Sequence, residues 1–220
     1  MKILIVISLF LSSLNAGASV KRLAQDIKLP TKAMLHKQTI TNPAVADTTG
    51  VISATAGNIT SAAVTLTAGL TSPPVPRNLV ITPGTSTVDV AACVISVAGS
   101  DFYGASLTEA FTFAGNASTA TTGAKAFKTV TSVTFPTNCE DGAFAATWSI
   151  GQGEKLGLDR CMGAAGDLAW STVSGTYEAT RATMAVNASS VSANTADFNG
   201  TMDASADFDI YFIENFGCRP

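Results

Sequence analysis

A single histidine, His36, limits the chemistry available to this chain. A nucleophilic triad needs an imidazole between its nucleophile and its carboxylate, and His36 falls in a basic stretch that reads as irregular, a poor setting for that role. Paired carboxylates are the other acid–base option, because a glycosidase sets two of them about 5–10 Å apart. Glu140-Asp141 and the pair Asp207 and Asp209 are the candidates. The second pair falls on one face of a strand whose other face carries Phe208 and Ile210, the pattern of a solvated face. Gly151-Gln-Gly153-Glu-Lys155-Leu-Gly157 has the glycines of a phosphate-cradling loop but neither the spacing of nucleotide motifs nor a helix after it. It reads as a tight turn or a close subunit contact. No catalytic residue, cofactor or metal ion is expected.

The cysteines Cys93, Cys139, Cys161 and Cys218 form an even set. In an exported protein they would give two disulfides by any of three connectivities. They contain no C-x-x-C pair and lie far from His36, which argues against zinc. For Cys93, inside an apolar run, the alternative is a small core residue. Trp148, Trp170, Tyr103, Tyr177 and Tyr211 are candidates for lining a sugar cleft, although such residues more often anchor a core or an interface. Asn58, Asn116, Asn187 and Asn199 open N-x-S/T sequons, a weak pattern in a chain rich in Ser and Thr.

The elements that would position these residues are strands. Asn78–Pro83, Thr87–Ala98, Leu107–Ala114 and Phe127–Pro136 are rich in β-branched or aromatic residues and bounded by turn formers. Ser61–Thr67, Phe144–Ile150, Leu168–Val173, Ala182–Val186 and Asp207–Ile213 extend the series, and Phe208, Ile210 and Phe212 share one face of the last. Ala91-Ala92 interrupts the alternation and marks a candidate bulge. The prolines of Thr71–Arg77 make that segment a linker or sheet-edge crossing. With no sustained helical period, an all-β antiparallel sandwich or barrel follows, preceded by an extended N-terminal arm.

Charged residues are 13% of the chain, against roughly 25% in ordinary soluble domains, and hydrophobic residues are 46%. A net charge of −3 without a basic run disfavours nucleic acid as a partner. At the amino terminus Lys2, the apolar run Ile3–Leu14 and Ala16-Gly17-Ala18 resemble a cleavable leader, with Ser19 as the first mature residue. The alternative is an apolar arm docked on a neighbour. The run falls short of the roughly 20 residues a membrane helix needs, so no stable membrane anchor is expected. The expected organisation is a leader at 1–18, an extended arm at 19–41 and a β-rich body at 42–220.

Several segments together form a recognisable series: Val75-Pro-Arg-Asn78, Leu107-Thr-Glu109 with Phe111-Thr-Phe113, Gly123-Ala-Lys-Ala-Phe-Lys-Thr-Val-Thr-Ser-Val-Thr-Phe-Pro136, Gly151-Gln-Gly-Glu-Lys-Leu-Gly-Leu158, Tyr177-Glu-Ala-Thr180 and Asp207–Ile213. In this order they resemble virion structural proteins of tailed bacteriophages, of head-decoration or minor capsid type, over roughly Pro74 to Ile213. The resemblance implies a non-enzymatic, many-copy protein that cements a shell, binding the major capsid protein or other virion subunits and associating with itself. The leader departs from that pattern, because phage heads assemble in the cytoplasm. The expected partner contacts are Lys21, Arg22, Lys28 and Leu35 of the arm, with Arg77, Phe102, Tyr103 and Lys155 of the body. The alternative is a secreted or periplasmic adhesion or binding module, stabilised by disulfides and using aromatics such as Trp170 and Tyr177. A secreted hydrolase would require carboxylates clustered in a deep cleft.

Overall fold

A computed structural model describes residues 34–56, 63–84, 90–116, 119–137, 139 and 147–215. The leader, most of the arm, Asn58, Glu140-Asp141 and Cys218 lie outside the described residues. The described residues form fourteen strands and two single 3-10 turns, at Ala165–Asp167 and Val191–Ala193. In chain order the strands are β1 Leu35–Ile40, β2 Asp47–Ala56, β3 Val64–Leu66, β4 Arg77–Pro83 and β5 Cys93–Ser100. There follow β6 Ser106–Phe113, β7 Thr121–Phe127, β8 Thr129–Phe135, β9 Thr147–Gly157 and β10 Leu168–Val173. The last are β11 Thr176–Tyr177, β12 Thr183–Ala185, β13 Thr195–Asp197 and β14 Phe208–Ile213.

The fold is all-β with antiparallel pairing, as the strand content predicts, and one sheet is curled into a half-barrel. The sheets run β1-β14-β10-β11, β12-β13-β9-β4-β7 and β3-β8-β5-β6, with β2 also paired to β9. Two apolar cores result. One gathers Leu79, Ile81, Ile95, Val97, Phe111, Phe127, Phe135, Trp148 and Ile150, and the other Leu156, Leu158, Met162, Phe208, Ile210 and Phe212. Strand β9 joins them, with Trp148 and Ile150 in the first core and Leu156 in the second. Trp148 is therefore a core residue and lines no sugar cleft.

Strands β10 and β14 fall where alternation and β-branching predict them, and Phe208, Ile210 and Phe212 are all fully buried. Elsewhere tertiary pairing redraws the expected elements. Leu35–Thr41 is not irregular arm: β1 lies along β14 with Leu35 opposite Ile213 and Ile40 opposite Phe208, and the compact unit begins at Leu35. The expected single strand Phe127–Pro136 is instead the end of β7 and the whole of β8, parted at Lys128. β7 pairs with β4 while β8 pairs with β5, so the chain changes sheets there. Gly99 permits this crossing, since a Cβ on it would lie 1.9 Å from the Thr129 carbonyl oxygen. Ala91 and Ala92 are not a bulge, because β5 starts only at Cys93; Thr87–Asp89 lie outside the described residues.

The segment Gly151–Gly157, expected as a turn, is the second half of β9, the longest strand described. Its glycines answer crowding rather than chain reversal. A Cβ on Gly151 would lie 1.8 Å from Asp47 O, and one on Gly157 would lie 2.5 Å from Ala126 Cβ. Cys93 and Cys139 form a disulfide at the edge of the first core, and Cys161 is also disulfide-bonded.

Candidate functional site

Strand β4 runs between two strands that both bulge against it. From Arg77 to Leu79 it advances two residues while β9 passes from Leu156 to Gln152, four residues. From Asn78 to Val80 it again advances two while β7 passes from Ala126 to Thr122, four residues. A bulge leaves backbone groups outside the ladder, and buried ones must find other partners. Asn78, fully buried, serves both sides: Lys155 N donates to its Oδ1 at 2.9 Å, and its Nδ2 donates to Gly123 O at 3.1 Å. Gly153 makes room for it, since a Cβ there would lie 2.5 Å from Asn78 Oδ1.

Glu109, reaching across from β6, completes the β7 bulge. Its Oε1 accepts Ala124 N at 2.6 Å and Lys125 N at 3.1 Å. Burial pushes the Glu109 carboxyl up, and these two N–H bonds oppose the shift without cancelling it. Its Oε2 has no hydrogen-bond partner and lies where a Cβ on Gly123 would approach to 2.6 Å. Arg77, expected on a contact surface, is fully buried. Its Nη1 donates to Ala44 O at 2.6 Å and its Nη2 to Met202 Sδ at 3.3 Å. Burial pulls the guanidinium down to about 10, with Glu154 opposing. Above the junction lies a crevice of about 290 Å³, lined by Thr48, Asn78, Thr122, Gln152, Glu154 and Asp197 among others.

A second group of side chains occupies the sheet containing β1 and β14. Lys37 Nζ lies 3.1 Å from Asp209 Oδ2 and 5.4 Å from the Tyr211 ring centre. Tyr211 stacks on Trp170 at 4.7 Å, and Trp170 meets the edge-tilted Tyr177 ring at 6.5 Å. Burial would raise the Asp209 carboxyl, but hydrogen bonds from Thr39 and Lys37 outweigh it and hold the group below the usual range. Asp209 is thus tied to its neighbours rather than freely solvated. A sugar platform needs free aromatic faces. Here Lys37, Tyr211 and Trp170 stack on one another and brace the sheet, while Tyr177 meets Trp170 only at an edge and stays 69% exposed.

His36 sits on β1 with Nε2 at 2.9 and 3.1 Å from the two carboxylate oxygens of Asp159, and its ring meets Phe212 edge-on. Burial pushes Asp159 up, with the His36 charge and hydrogen bond opposing. The pair is two-thirds of a nucleophilic triad, but among the described residues no hydroxyl or thiol hydrogen-bonds to the His36 ring. Tyr103 reaches the same corner and donates from its hydroxyl to Asp159 O at 2.5 Å.

Of the expected contact residues, Lys21, Arg22 and Lys28 lie outside the described residues. Leu35 is 54% exposed, and Phe102 and Tyr103 are 37% and 38% exposed at the β5–β6 turn. Lys155 is half-buried on β9 and belongs to the junction through its backbone. The structure therefore separates Arg77 and Lys155, at the β4 junction, from Leu35, Phe102 and Tyr103. The linking roles of Asn78 and Glu109 escape sequence reasoning, although both fall within the quoted segments. Among the described residues no three His, Cys, Asp or Glu side chains gather as metal ligands, and no helix is long and apolar enough to cross a membrane. No known family model, curated protein or solved structure matches the chain.

Proposed function

We propose that this chain is a non-enzymatic structural protein of a tailed-bacteriophage particle, one that decorates or cements the capsid by binding the major capsid protein or other virion subunits. The observation that supports the reading is the convergence of four of the segments on which the resemblance rests. Val75–Asn78, Leu107–Glu109, Gly123–Phe127 and Gly151–Leu158 are far apart in the chain, yet Asn78, Glu109, Gly123 and Gly153 lock into one packed junction. Residues that specify a double bulge are scaffold residues, which suits a structural role. Cementing needs only apolar area repeated over many contacts, at roughly 25 cal/mol per Å². Leu35, Phe102 and Tyr103 are among the exposed apolar groups suited to it.

A second reading, an exported binding module, is favoured by the Cys93–Cys139 disulfide, because such bonds persist in oxidising compartments. Mass spectrometry of purified particles and of the secreted fraction separates the two. High copy number in particles, with residues 1–18 retained, supports the virion protein. Absence from particles together with a secreted chain beginning at Ser19 overturns it and leaves the exported module.

A further inference from the structure

Asn199-Gly200 is the only Asn-Gly step in the chain. In an open chain such a step is chemically weak. The glycine nitrogen, with no Cβ beside it, attacks the Asn side-chain carbonyl carbon; the Cγ–Nδ2 bond breaks, and the glycine N–H proton leaves with that nitrogen as ammonia. Water then opens the succinimide to aspartate or isoaspartate.

Both nitrogens of that reaction are engaged here. Gly200 N, the nucleophile, donates to Glu178 Oε1 at 3.0 Å, beside Asn199 N at 2.8 Å on the same oxygen. Asn199 Nδ2, the leaving nitrogen, donates to Thr180 O at 2.8 Å and Arg181 O at 3.2 Å. Glu178 is itself fixed, because its Oε2 accepts the Ser171 hydroxyl at 2.5 Å and Ser171 Oγ accepts Ala182 N at 3.1 Å. Val173 closes on Gly200 from one side, where a Cβ would lie 2.6 Å from Val173 Cγ2.

We propose that Asn199 is a latent deamidation site held shut by Glu178, and that loosening the β10–β11 hairpin opens it irreversibly. The product cannot rebuild the clasp. A carboxylate at position 199 would face the Thr180 and Arg181 carbonyl oxygens, where the amide now donates, and isoaspartate would also lengthen the backbone. The site therefore records one-way ageing of the fold, whichever compartment or particle holds the chain.

The test follows amide-to-acid conversion at Asn199 by peptide mass spectrometry in mildly alkaline buffer. It compares the full oxidised chain when native, the same chain in urea, and Glu178→Gln and Glu178→Ala variants. The bond from Gly200 N to Glu178 and those from Asn199 Nδ2 to the Thr180 and Arg181 carbonyls must open before attack, so the native chain should react at least about tenfold more slowly than the unfolded one. Glu178→Gln should fall between them, and Ser171→Ala, which frees Glu178 without removing it, should also accelerate the reaction. Equal rates in native and urea-unfolded chains overturn the proposal, as does a folded Glu178→Gln variant reacting at the native rate. If Glu178→Ala fails to fold, Glu178→Gln and Ser171→Ala carry the decision.

Discussion

Replacing Asn78 by alanine tests the junction directly. The side chain satisfies two backbone groups that the bulged ladders leave out, Lys155 N–H at 2.9 Å and Gly123 C=O at 3.1 Å. Asn78 is fully buried, so water does not readily replace it. Each of the two orphaned groups costs about 1–3 kcal/mol, so Asn78→Ala should lose about 2–6 kcal/mol overall. For a body of this size that corresponds to a melting temperature about 4–24 °C lower. Asn78→Asp keeps an acceptor for Lys155 N but loses the donor to Gly123 O and buries a charge, so it should be no milder than alanine. Thermal and urea unfolding of the oxidised chain provide the measurement. Thr65→Ala is the control, since it removes only an exposed hydroxyl pair with Thr134 and should stay within about 0.5 kcal/mol. If Asn78→Ala unfolds within about 1 kcal/mol of the parent, the bulges are self-sufficient and Asn78 does not hold the junction together.

Gly151→Ala puts a Cβ against the Asp47 and Thr48 backbone and should cost at least about 3 kcal/mol, whereas Gly166→Ala meets nothing within 4 Å and should be nearly silent; urea midpoints of the two compare them. Joint replacement of Cys93 and Cys139 by alanine opens a bridge between residues 46 apart and should lower stability by about 4 kcal/mol, read from denaturant unfolding against the parent. Asp47, through hydrogen bonds from Thr49, and Asp203, through those from Ser205, have depressed carboxyls, as does Asp209 despite its partial burial. The folded state therefore holds their protons less tightly than the unfolded one. Their stabilisation is complete above the ordinary carboxyl range and is lost as pH falls through their lower folded values. Melting temperatures at descending pH should fall less steeply in Asp209→Asn than in the parent; an identical acid limb would remove Asp209 from the explanation.

Some of this molecule is written locally. Alternation of Phe208, Ile210 and Phe212 with polar neighbours selects strand and face together, because a period of two puts alternate side chains on one side wherever the strand is paired. The run Leu168–Val173 is likewise β-branched or aromatic enough to extend on its own, and an all-β class follows from many such runs. Other elements depend on their partners. β1 carries His, Lys and Gln and becomes a strand because β14 offers an edge and an apolar face on which Ile40 closes. β7 contains Gly123-Ala-Lys-Ala, poor strand formers, and is held by Asn78 and Glu109.

The candidate site divides the same way. The glycines of Gly151–Leu158 are visible in the chain, but a glycine looks alike whether it reverses the backbone or admits a neighbour. Only the pairing of β9 with β2 and β4 shows that Gly151 and Gly153 do the second. Arg77 reads as a surface charge until the fold places its guanidinium against Ala44 O and Met202 Sδ. The sequence by itself determined the strand-rich class and the apolar faces, because those depend on neighbouring residues. Tertiary structure alone decided the bulges, the buried polar links and which side chains reach the surface. Those depend on contacts closed across long stretches of chain, where burial makes each backbone group require a partner.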